Sequence, residues 1–211
     1  MIKNLINNLD YAGLNALLEK IPLLANEGIG LDDGNPALAH PLHRICDGVF
    51  NGKYSDDDAL KLATIFLNHG ADVNGVELRE NRDTPLISAA SLNAEKVGIL
   101  YIKHGANIHH QGCHGGTALH WAAWCGKDKL VRKLIEASAQ INKLCVDFKS
   151  TPLFWAIHGL KKGGKENVHH QAECARLLVE AGADKSIPNF EGYKPIQLLN
   201  VEDAELMKML S

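Results

Sequence analysis

Two short sequence markers recur along this chain at a fixed spacing, and their recurrence constrains the fold more than any other feature. The first is a tetrapeptide of Thr-Pro-Leu type, which begins at His40, Thr84, Thr117, Thr151 and Lys194. The second is a tripeptide of Gly-Ala-Asp type, which begins at Gly70, Gly105, Ser138 and Gly182. In the middle of the chain the second marker follows the first by 21 residues, and the next unit begins 12 residues later. This 33-residue period predicts an array of similar structural units.

The segment TALHWAA, which begins at Thr117, points to the kind of unit that repeats. A Thr-Pro-Leu-His-x-Ala pattern with a period of 33 residues resembles the ankyrin repeat, and the resemblance covers about residues 35 to 200. It implies a β-turn finger followed by two antiparallel helices in each unit, with an apolar face buried on the neighbouring unit. The predicted fold class is therefore all-α, an ankyrin-type solenoid of helix-turn-helix repeats with β-turn fingers.

Apolar residues ahead of the second marker support this prediction independently. In the third unit they are Leu130, Val131, Leu134 and Ile135, a spacing that places one stripe along a helix. The glycine of the marker suits the residue after a helix, which often adopts a positive φ. Near the amino terminus, Leu14, Leu17, Leu18 and Ile21 form a similar stripe, which predicts a capping helix.

The markers divide the chain into a predicted single ankyrin repeat domain, 1–211. It consists of an N-terminal cap (1–34), four repeats (35–78, 79–111, 112–145 and 146–188) and a C-terminal capping repeat (189–211). Two units carry about ten additional residues, predicted to form loops at Gly48–Ser55 and Leu160–His169. The first loop leads into Asp56-Asp57-Asp58, a predicted helix N-terminus, and the second contains the basic segment from Lys161 to Lys165.

A helical wheel of the third unit separates small residues from aromatic ones. Leu119, Ala122 and Ala123 fall on the packed face, whereas Trp121, Trp124 and Cys125 fall on the opposite side. In the fourth unit the same arithmetic leaves Trp155, His158 and Gly159 outward. All three tryptophans of the chain are therefore predicted to face the same way from adjacent units.

In the ankyrin-like arrangement this side is the concave groove, which finger residues border. The sequence register places there Glu80, Asn81, Asp83, Cys113, His114, Gly116, Asp147, Phe148 and Ser150. We expect Trp121, Trp124, Trp155 and Phe148 to anchor a partner protein, because tryptophan buries a large area with few rotors. We expect His114, His158, Asp83 and Asp147 to set specificity. The alternative is that Trp121 and Trp155 only pack against the neighbouring finger.

The tract His109-His110-Gln111-Gly112-Cys113-His114 suggests a second function, a regulator that responds to a metal ion or a small molecule. Zinc requires three or four converging ligands, whereas neighbouring side chains of an extended finger point to opposite faces. We therefore predict no metal and no cofactor. His43 and His120 occupy the fourth position of the first marker, where the resemblance implies that imidazole bridges backbone groups between units.

The remaining features argue against catalysis and against charged or lipid partners. The pairs Cys113–His114 and Cys125–His158 have no recognisable orienting group or oxyanion donors, and neither GxxxxGK[ST], GxGxxG nor HExxH occurs. A net charge of −3 offers no broad attraction to nucleic acid or anionic membranes. Five cysteines without a CxxC pair suggest free thiols. We predict a non-enzymatic, cytoplasmic, monomeric protein that binds an unidentified protein partner.

Overall fold

The structure, a computed structural model, describes residues 1–32, 35–75, 82–163 and 167–211. The described residues form two compact units. The first contains residues 1–32, 35–75 and Asp83–Asn107, and the second contains Arg82 and residues 108–163 and 167–211. Each unit is built mainly from pairs of helices, as the 33-residue period predicts.

The first unit contains six α-helices and a short β-hairpin within the part of the chain that the structure describes. In chain order they are α1 (Ile2–Asn7), α2 (Tyr11–Lys20), β1 (Ile29–Asp32), β2 (Asn35–Ala39), α3 (Pro41–Phe50), α4 (Asp56–Asn68), α5 (Pro85–Ser91) and α6 (Glu95–Lys103). The strands are antiparallel, with Ile29 opposite Ala39 and Gly30 opposite Leu38. The hairpin lies directly before His40, where the first marker first occurs, and this is the position expected for a finger.

The core of the first unit lies between two helix pairs, because α3 packs on α5 and α4 packs on α6. Leu42, Leu62, Phe66 and Leu86 are fully buried there. The Tyr101 hydroxyl crosses the layer and donates to the Leu42 carbonyl at 3.0 Å. The predicted capping helix is α2, in which Leu14 and Leu18 are buried.

The second unit repeats the arrangement with α7 (Ala118–Trp124), α8 (Asp128–Glu136), α9 (Pro152–Lys162), α10 (Val168–Glu180) and α11 (Ala204–Leu210). Helix α7 packs on α9 and α8 packs on α10. The predicted stripe of α8 forms the interface, since Leu130, Val131 and Leu134 are fully buried. Short 3-10 turns at Cys113–Gly115 and Pro195–Leu198 precede or replace helices in this unit.

The markers coincide with helix ends, as the sequence predicts. Thr84 and Thr151 are N-caps whose hydroxyls accept from the amides of Ile87 and Phe154, each at 3.3 Å. Proline follows each of them at the first helical position, where no backbone N–H is needed. The threonine and proline of the first marker are thus explained by helix initiation.

The two predicted loops are shorter than expected, because the flanking helices extend into them. Helix α3 continues through Gly48 to Phe50, since Tyr54 folds back against this glycine and its hydroxyl donates to the Ile45 carbonyl at 3.3 Å. The N-cap of α4 is Ser55, and the three aspartates occupy the first turn.

The second predicted loop is also largely helical where the structure describes it. Leu160, Lys161 and Lys162 complete α9, and α10 already begins at Val168. Lys161 is held by Asp203, with 2.6 Å between the ammonium nitrogen and a carboxylate oxygen. Gly164 and Lys165 lie outside the described residues, as do the predicted boundaries at 34 and 78. The division into cap and repeats stays a prediction.

Candidate functional site

The second unit contains a cleft of about 430 Å³ between its helices and its fingers. We call it the aromatic cleft. It is lined by residues of α7, of α9 and of the three loops that precede Thr117, Thr151 and Lys194, namely His114, Trp121, Trp124, Phe148, Ser150, Phe154, Trp155, His158, Asn189, Phe190 and Glu191. Six of these side chains are Phe or Trp, so the surface inside the cleft is mainly apolar and aromatic.

Trp155 forms the floor of the aromatic cleft. Its ring centroid lies 5.1 Å from that of Trp121, 6.1 Å from that of Trp124 and 6.2 Å from that of Phe148. The corresponding interplanar angles are 80°, 74° and 60°, so the three rings stand steeply on the floor. Edge-to-face contacts of this kind are favourable because the ring edge is positive and the face negative.

Only 5% of the Trp155 surface is exposed, so the prediction that this side chain points outward to the surface is wrong. The indole leaves α9 on the predicted side, but Trp121, Trp124 and Phe148 cover it. Its Nε1–H donates to the Ser150 hydroxyl at 3.1 Å. The buried tryptophan is therefore both packed and hydrogen-bonded, and it supports the walls of the aromatic cleft.

Trp121 and Trp124 are half-buried, as befits walls that face a cleft. The Trp121 Nε1 has no hydrogen-bond partner among the described residues and lies against the backbone of Gly116, where a Cβ would come within 3.3 Å of it. The Trp124 carbonyl accepts from Gln171 Nε2 at 2.7 Å. Helix α7 is thus tied to α10 directly behind the aromatic cleft.

Gly159 is buried and does not face outward, contrary to the helical-wheel prediction. A Cβ at this position would stand 2.4 Å from the Trp124 carbonyl oxygen. Helices α7 and α9 therefore approach closely at this glycine. This close approach sets how near Trp124 lies to the residues of α9.

Three successive fingers form the rim of the aromatic cleft, and Phe148 and Phe190 are 40% and 60% exposed there. The amide of Phe190 donates to the Phe148 carbonyl at 2.9 Å, and the amide of Asp147 donates to the His114 carbonyl at 3.2 Å. Successive fingers are therefore connected in one register. This ladder brings the two phenylalanine rings to a centroid distance of 6.5 Å.

The ionisable groups of the aromatic cleft are few. Burial lowers the pKa of His158, the nearby charge of Lys162 lowers it further, and the Glu191 carboxylate opposes the shift. His158 is therefore neutral near pH 7 and lies 4.9 Å, ring to ring, from Trp124. At the rim, His114 and Asp147 form an exposed pair with 2.8 Å between nitrogen and oxygen. Glu191 is the acid of the lining.

His120 lies behind the aromatic cleft and joins two consecutive repeats of the second compact unit, as the ankyrin resemblance implies. Its Nδ1 accepts from the Thr117 amide at 3.1 Å, and its Nε2 lies 3.2 Å from the Ser150 carbonyl, to which it donates. Burial lowers the pKa of His120 to about 4. A neutral imidazole thus fixes the backbone of Ser150, whose hydroxyl holds Trp155.

Most of the predicted site residues meet in one place. Trp121, Trp124, Trp155, Phe148, His114 and His158 all line the aromatic cleft, and Asp147 borders it through His114. Asp83 is half-buried and belongs to the other compact unit, so its proposed role stays a prediction. Glu80 and Asn81 lie outside the described residues.

The last finger of the aromatic cleft was not predicted from the sequence. Asn189, Phe190 and Glu191 precede Lys194 as Asp147 and Phe148 precede Thr151, so the register of the first marker contained the signal. Phe154 was missed for a different reason. It follows the proline of the marker within α9, and only the packing of the next finger places it at the cleft.

The histidine-rich tract does not converge on a common point. His110 Nε2 lies 2.8 Å from the Arg82 carbonyl, and His114 pairs with Asp147. Over residues 1–32, 35–75, 82–163 and 167–211, no group of three or more His, Cys, Asp or Glu side chains is arranged to hold a metal ion. Within the same ranges, no helix combines the length and the apolar composition needed to cross a bilayer.

Comparison with known proteins agrees with the repeat architecture. A family model described as ankyrin repeats (3 copies) matches residues 53–145 and 100–189. The B-cell lymphoma 3 protein homolog of Mus musculus is 37% identical over 93 residues, which cover 44% of this chain and 20% of that protein. The palmitoyltransferase ZDHHC13 of Mus musculus is 29% identical over 152 residues, which cover 62% of this chain and 23% of that protein.

Rabankyrin-5 of Mus musculus is 24% identical over 160 residues, which cover 75% of this chain and 13% of that protein. The chain therefore spans less than a quarter of the length of each of these three relatives. The family model, in contrast, matches more than half of the chain. Together with the paired helices, the threonine caps and the connected fingers, this match shows that the chain belongs to the ankyrin-repeat family.

Proposed function

We propose that this chain is a non-enzymatic protein-binding module and that the aromatic cleft is its partner-binding site. The observation that carries the proposal is the cleft of about 430 Å³, which six aromatic side chains line. Ankyrin repeats are generally protein–protein interaction modules. Clefts of this size with an apolar lining and few polar groups are the usual form of a binding site.

Exposure and rigidity support the same proposal. Phe148 and Phe190 expose much of their rings, and partners bury such aromatic groups with a large gain for a small loss of conformational freedom. Hydrogen bonds between neighbouring fingers hold these rings in place before a partner arrives. A pre-ordered surface loses less conformational entropy on binding.

Within this proposal the residues have distinct roles. Trp121, Trp124 and Phe148 contact the partner directly, and Trp155 supports them from below. His114, His158 and Asp147 select polar groups of the partner at the rim, and Asp83 is proposed as a further contact. We also propose that the chain acts as a monomer in the cytoplasm.

The proposal is tested by comparing two exposed phenylalanines. Phe190 at the aromatic cleft is 60% exposed and Phe50 in α3 is 59% exposed, so Phe190→Ala and Phe50→Ala remove the same atoms at similar exposure. Proteins captured from the source cell by the wild-type chain are identified, and the affinity of each purified partner is measured. We expect Phe190→Ala to weaken binding about tenfold or more and Phe50→Ala to leave it unchanged. Equal effects of the two variants would contradict the proposed site.

A further inference from the structure

We propose that the aromatic cleft recognises a methylated ammonium group, carried by a trimethylated lysine side chain of the partner protein. This inference rests on the proposed function and specifies the chemistry of the partner. It goes beyond a general apolar anchor because it requires a positive charge without N–H donors. Three features of the aromatic cleft support it, namely the arrangement of its rings, its charge and its hydrogen-bonding groups.

The first feature is the arrangement of the rings. Trp121, Trp124 and Phe148 stand at 60° to 80° to the plane of Trp155, so these three rings form the walls of a box above the covered Trp155. The negative face of an aromatic ring attracts a cation within about 6 Å of its centroid, and tryptophan attracts it best. An alkylated ammonium in such a box contacts several rings at once, and its methyl groups fill the apolar space.

The second feature is the charge of the lining. Glu191 contributes a carboxylate, and the lining includes no Lys or Arg among the described residues. Burial lowers the pKa of His158, so this imidazole does not repel a cation at neutral pH. Lys162 does not line the aromatic cleft, but its positive charge acts on His158. The His114 imidazole is paired with Asp147. The lining therefore favours a positive ligand.

The third feature distinguishes a methylated ammonium from an arginine or an unmodified lysine. The Ser150 hydroxyl accepts from Trp155, and the Asn189 side-chain oxygen accepts from the amides of Glu191 and Tyr193 at 3.1 and 2.9 Å. The Glu191 carboxylate and the neutral His158 imidazole remain as acceptors in the lining. A guanidinium brings five N–H donors and an ammonium three, and every donor that these two groups do not pair is costly to bury. A trimethylammonium group brings the charge without any such donor.

The three tryptophans of the chain all line the aromatic cleft, which makes the test direct. Each contributes one indole N–H signal in a proton–nitrogen NMR spectrum. The ¹⁵N-labelled chain is titrated with four short peptides that differ in one central residue. This residue is trimethyl-lysine, its neutral analogue with a tert-butyl group in place of trimethylammonium, unmodified lysine or arginine. Choline serves as a free quaternary ammonium.

We expect the trimethyl-lysine peptide to shift the indole signals and to bind at least about tenfold more tightly than the other three peptides and than choline. The variant Glu191→Gln keeps the size of the side chain and removes its charge. It should weaken binding of the trimethyl-lysine peptide about threefold to tenfold and leave that of the neutral analogue unchanged. Glu202→Gln, which changes an exposed acid that does not line the aromatic cleft, should alter neither affinity.

Four results would overturn the inference. Equal binding of the trimethyl-lysine peptide and its neutral analogue would show a purely apolar site. Stronger binding of arginine or unmodified lysine would show that N–H donors are needed. Choline binding as tightly as the peptide would assign the site to a free small molecule. Unchanged indole signals with every probe would leave no methylated ammonium site. The Phe190→Ala comparison tests the proposed function separately. If the peptides fail but Phe190→Ala loses a protein partner, the aromatic cleft binds protein through a different chemistry.

Discussion

Ser138 occupies a position where the other described repeats have glycine. Gly70, Gly105 and Gly182 follow helices α4, α6 and α10 with φ between 82° and 92°, and Ser138 follows α8 with φ of 67°. A side chain in this left-handed region is strained, whereas glycine is not. No atom lies within 4 Å of the position that a Cβ would take at Gly105 or Gly182, so the backbone conformation alone selects glycine there.

Replacing Ser138 with glycine should therefore stabilise the chain. We expect Ser138→Gly to raise the free energy of unfolding by about 1 kcal/mol, because the strain of a left-handed residue is removed. Urea denaturation followed by circular dichroism measures this change. Gly105→Ala is the matched control and should lower the same quantity by about 1 kcal/mol. A decrease in Ser138→Gly would mean that the serine side chain contributes more than its backbone strain costs.

Buried histidine makes stability depend on pH. The pKa of His120 is lowered to about 4 by burial, against an ordinary value of 6.5, so the unfolded chain takes up a proton first as the pH falls. The contribution of neutral His120 to the free energy of unfolding is complete above pH 6.5 and is lost progressively as the pH falls toward 4. From pH 7 to pH 5 we expect the free energy of unfolding to fall by about 2 kcal/mol through this residue.

The variant His120→Gln tests this origin, because glutamine three residues after a threonine N-cap preserves the capping box without titrating. Urea denaturation at pH 7 and pH 5 should show a smaller pH dependence for the variant than for the wild-type chain. His40 and His43, whose pKa values burial also lowers to about 4, contribute to the dependence that remains, as does His158, whose pKa burial also lowers. An unchanged difference between the two pH values would exclude His120 as a source.

At the scale of single residues, the sequence predicts the side of a helix on which a residue lies better than it predicts how exposed that residue is. The helical wheel places Trp155 on the side of Trp121 and Trp124, and the three do meet. It could not predict that Trp155 is covered, because the covering rings come from another helix and from a finger. The same limit explains Gly159, which the wheel places outward and which the neighbouring helix buries.

At the scale of elements, the contact between α7 and α9 determines the shape of the aromatic cleft. Gly159 allows the two helices to approach until its missing Cβ would be 2.4 Å from the Trp124 carbonyl oxygen. Both Trp121 and Trp124 belong to α7, whereas Trp155 and His158 belong to α9. The distance between the tryptophan walls on α7 and the Trp155 floor on α9 therefore depends on one residue that carries no side chain.

The variant Gly159→Ala should lower the free energy of unfolding by about 2 kcal/mol or more, because a methyl group cannot fit without moving a helix. The direction of this change in the free energy of unfolding is informative, since helix propensity alone would make the substitution stabilising by about 1 kcal/mol. Thermal or urea denaturation measures the change, and the indole NMR signals should shift without any ligand. A more stable variant with unchanged indole signals would contradict the close approach of the helices.

The helices themselves were largely predictable, and their ends were less so. The markers predict where α5, α7 and α9 begin, because the threonine N-cap of each helix, and the proline that follows it in α5 and α9, act locally on helix initiation. The extension of α3 beyond Gly48 depends on Tyr54 returning to that glycine, a contact within the inserted segment that periodicity does not encode. Insertions interrupt the period, and with it the basis of the prediction.

At the scale of the whole molecule, the tryptophans are distributed very unevenly. All three line the aromatic cleft of the second unit, although the chain has 211 residues. The period and the family resemblance predicted the repeat architecture and brought six of the eight predicted site residues to one cleft. They could not predict its volume, because that depends on the last finger and on the approach of two helices.

This distribution predicts the fluorescence of the native chain. Phe148→Ala should shift the tryptophan emission to longer wavelength, because water then reaches the covered Trp155 indole beneath that ring. Phe50→Ala should leave the emission unchanged, since Phe50 is an exposed residue of α3 in the first unit. Emission spectra of the three proteins in native buffer provide the comparison. A similar shift in both variants would mean that the indoles sense a general loosening.

The fingers around the aromatic cleft separate recognition from folding. Phe148, Phe190 and Glu191 lie in loops that backbone hydrogen bonds align, while the buried leucines of α8 and the capping threonines hold the second unit together. Positions 147, 190 and 191 can therefore be varied in a display library with little loss of foldable members, whereas Asn189 orders its own finger and Phe148 covers Trp155. Such a library would turn this chain into a scaffold for selecting reagents against new modified peptides.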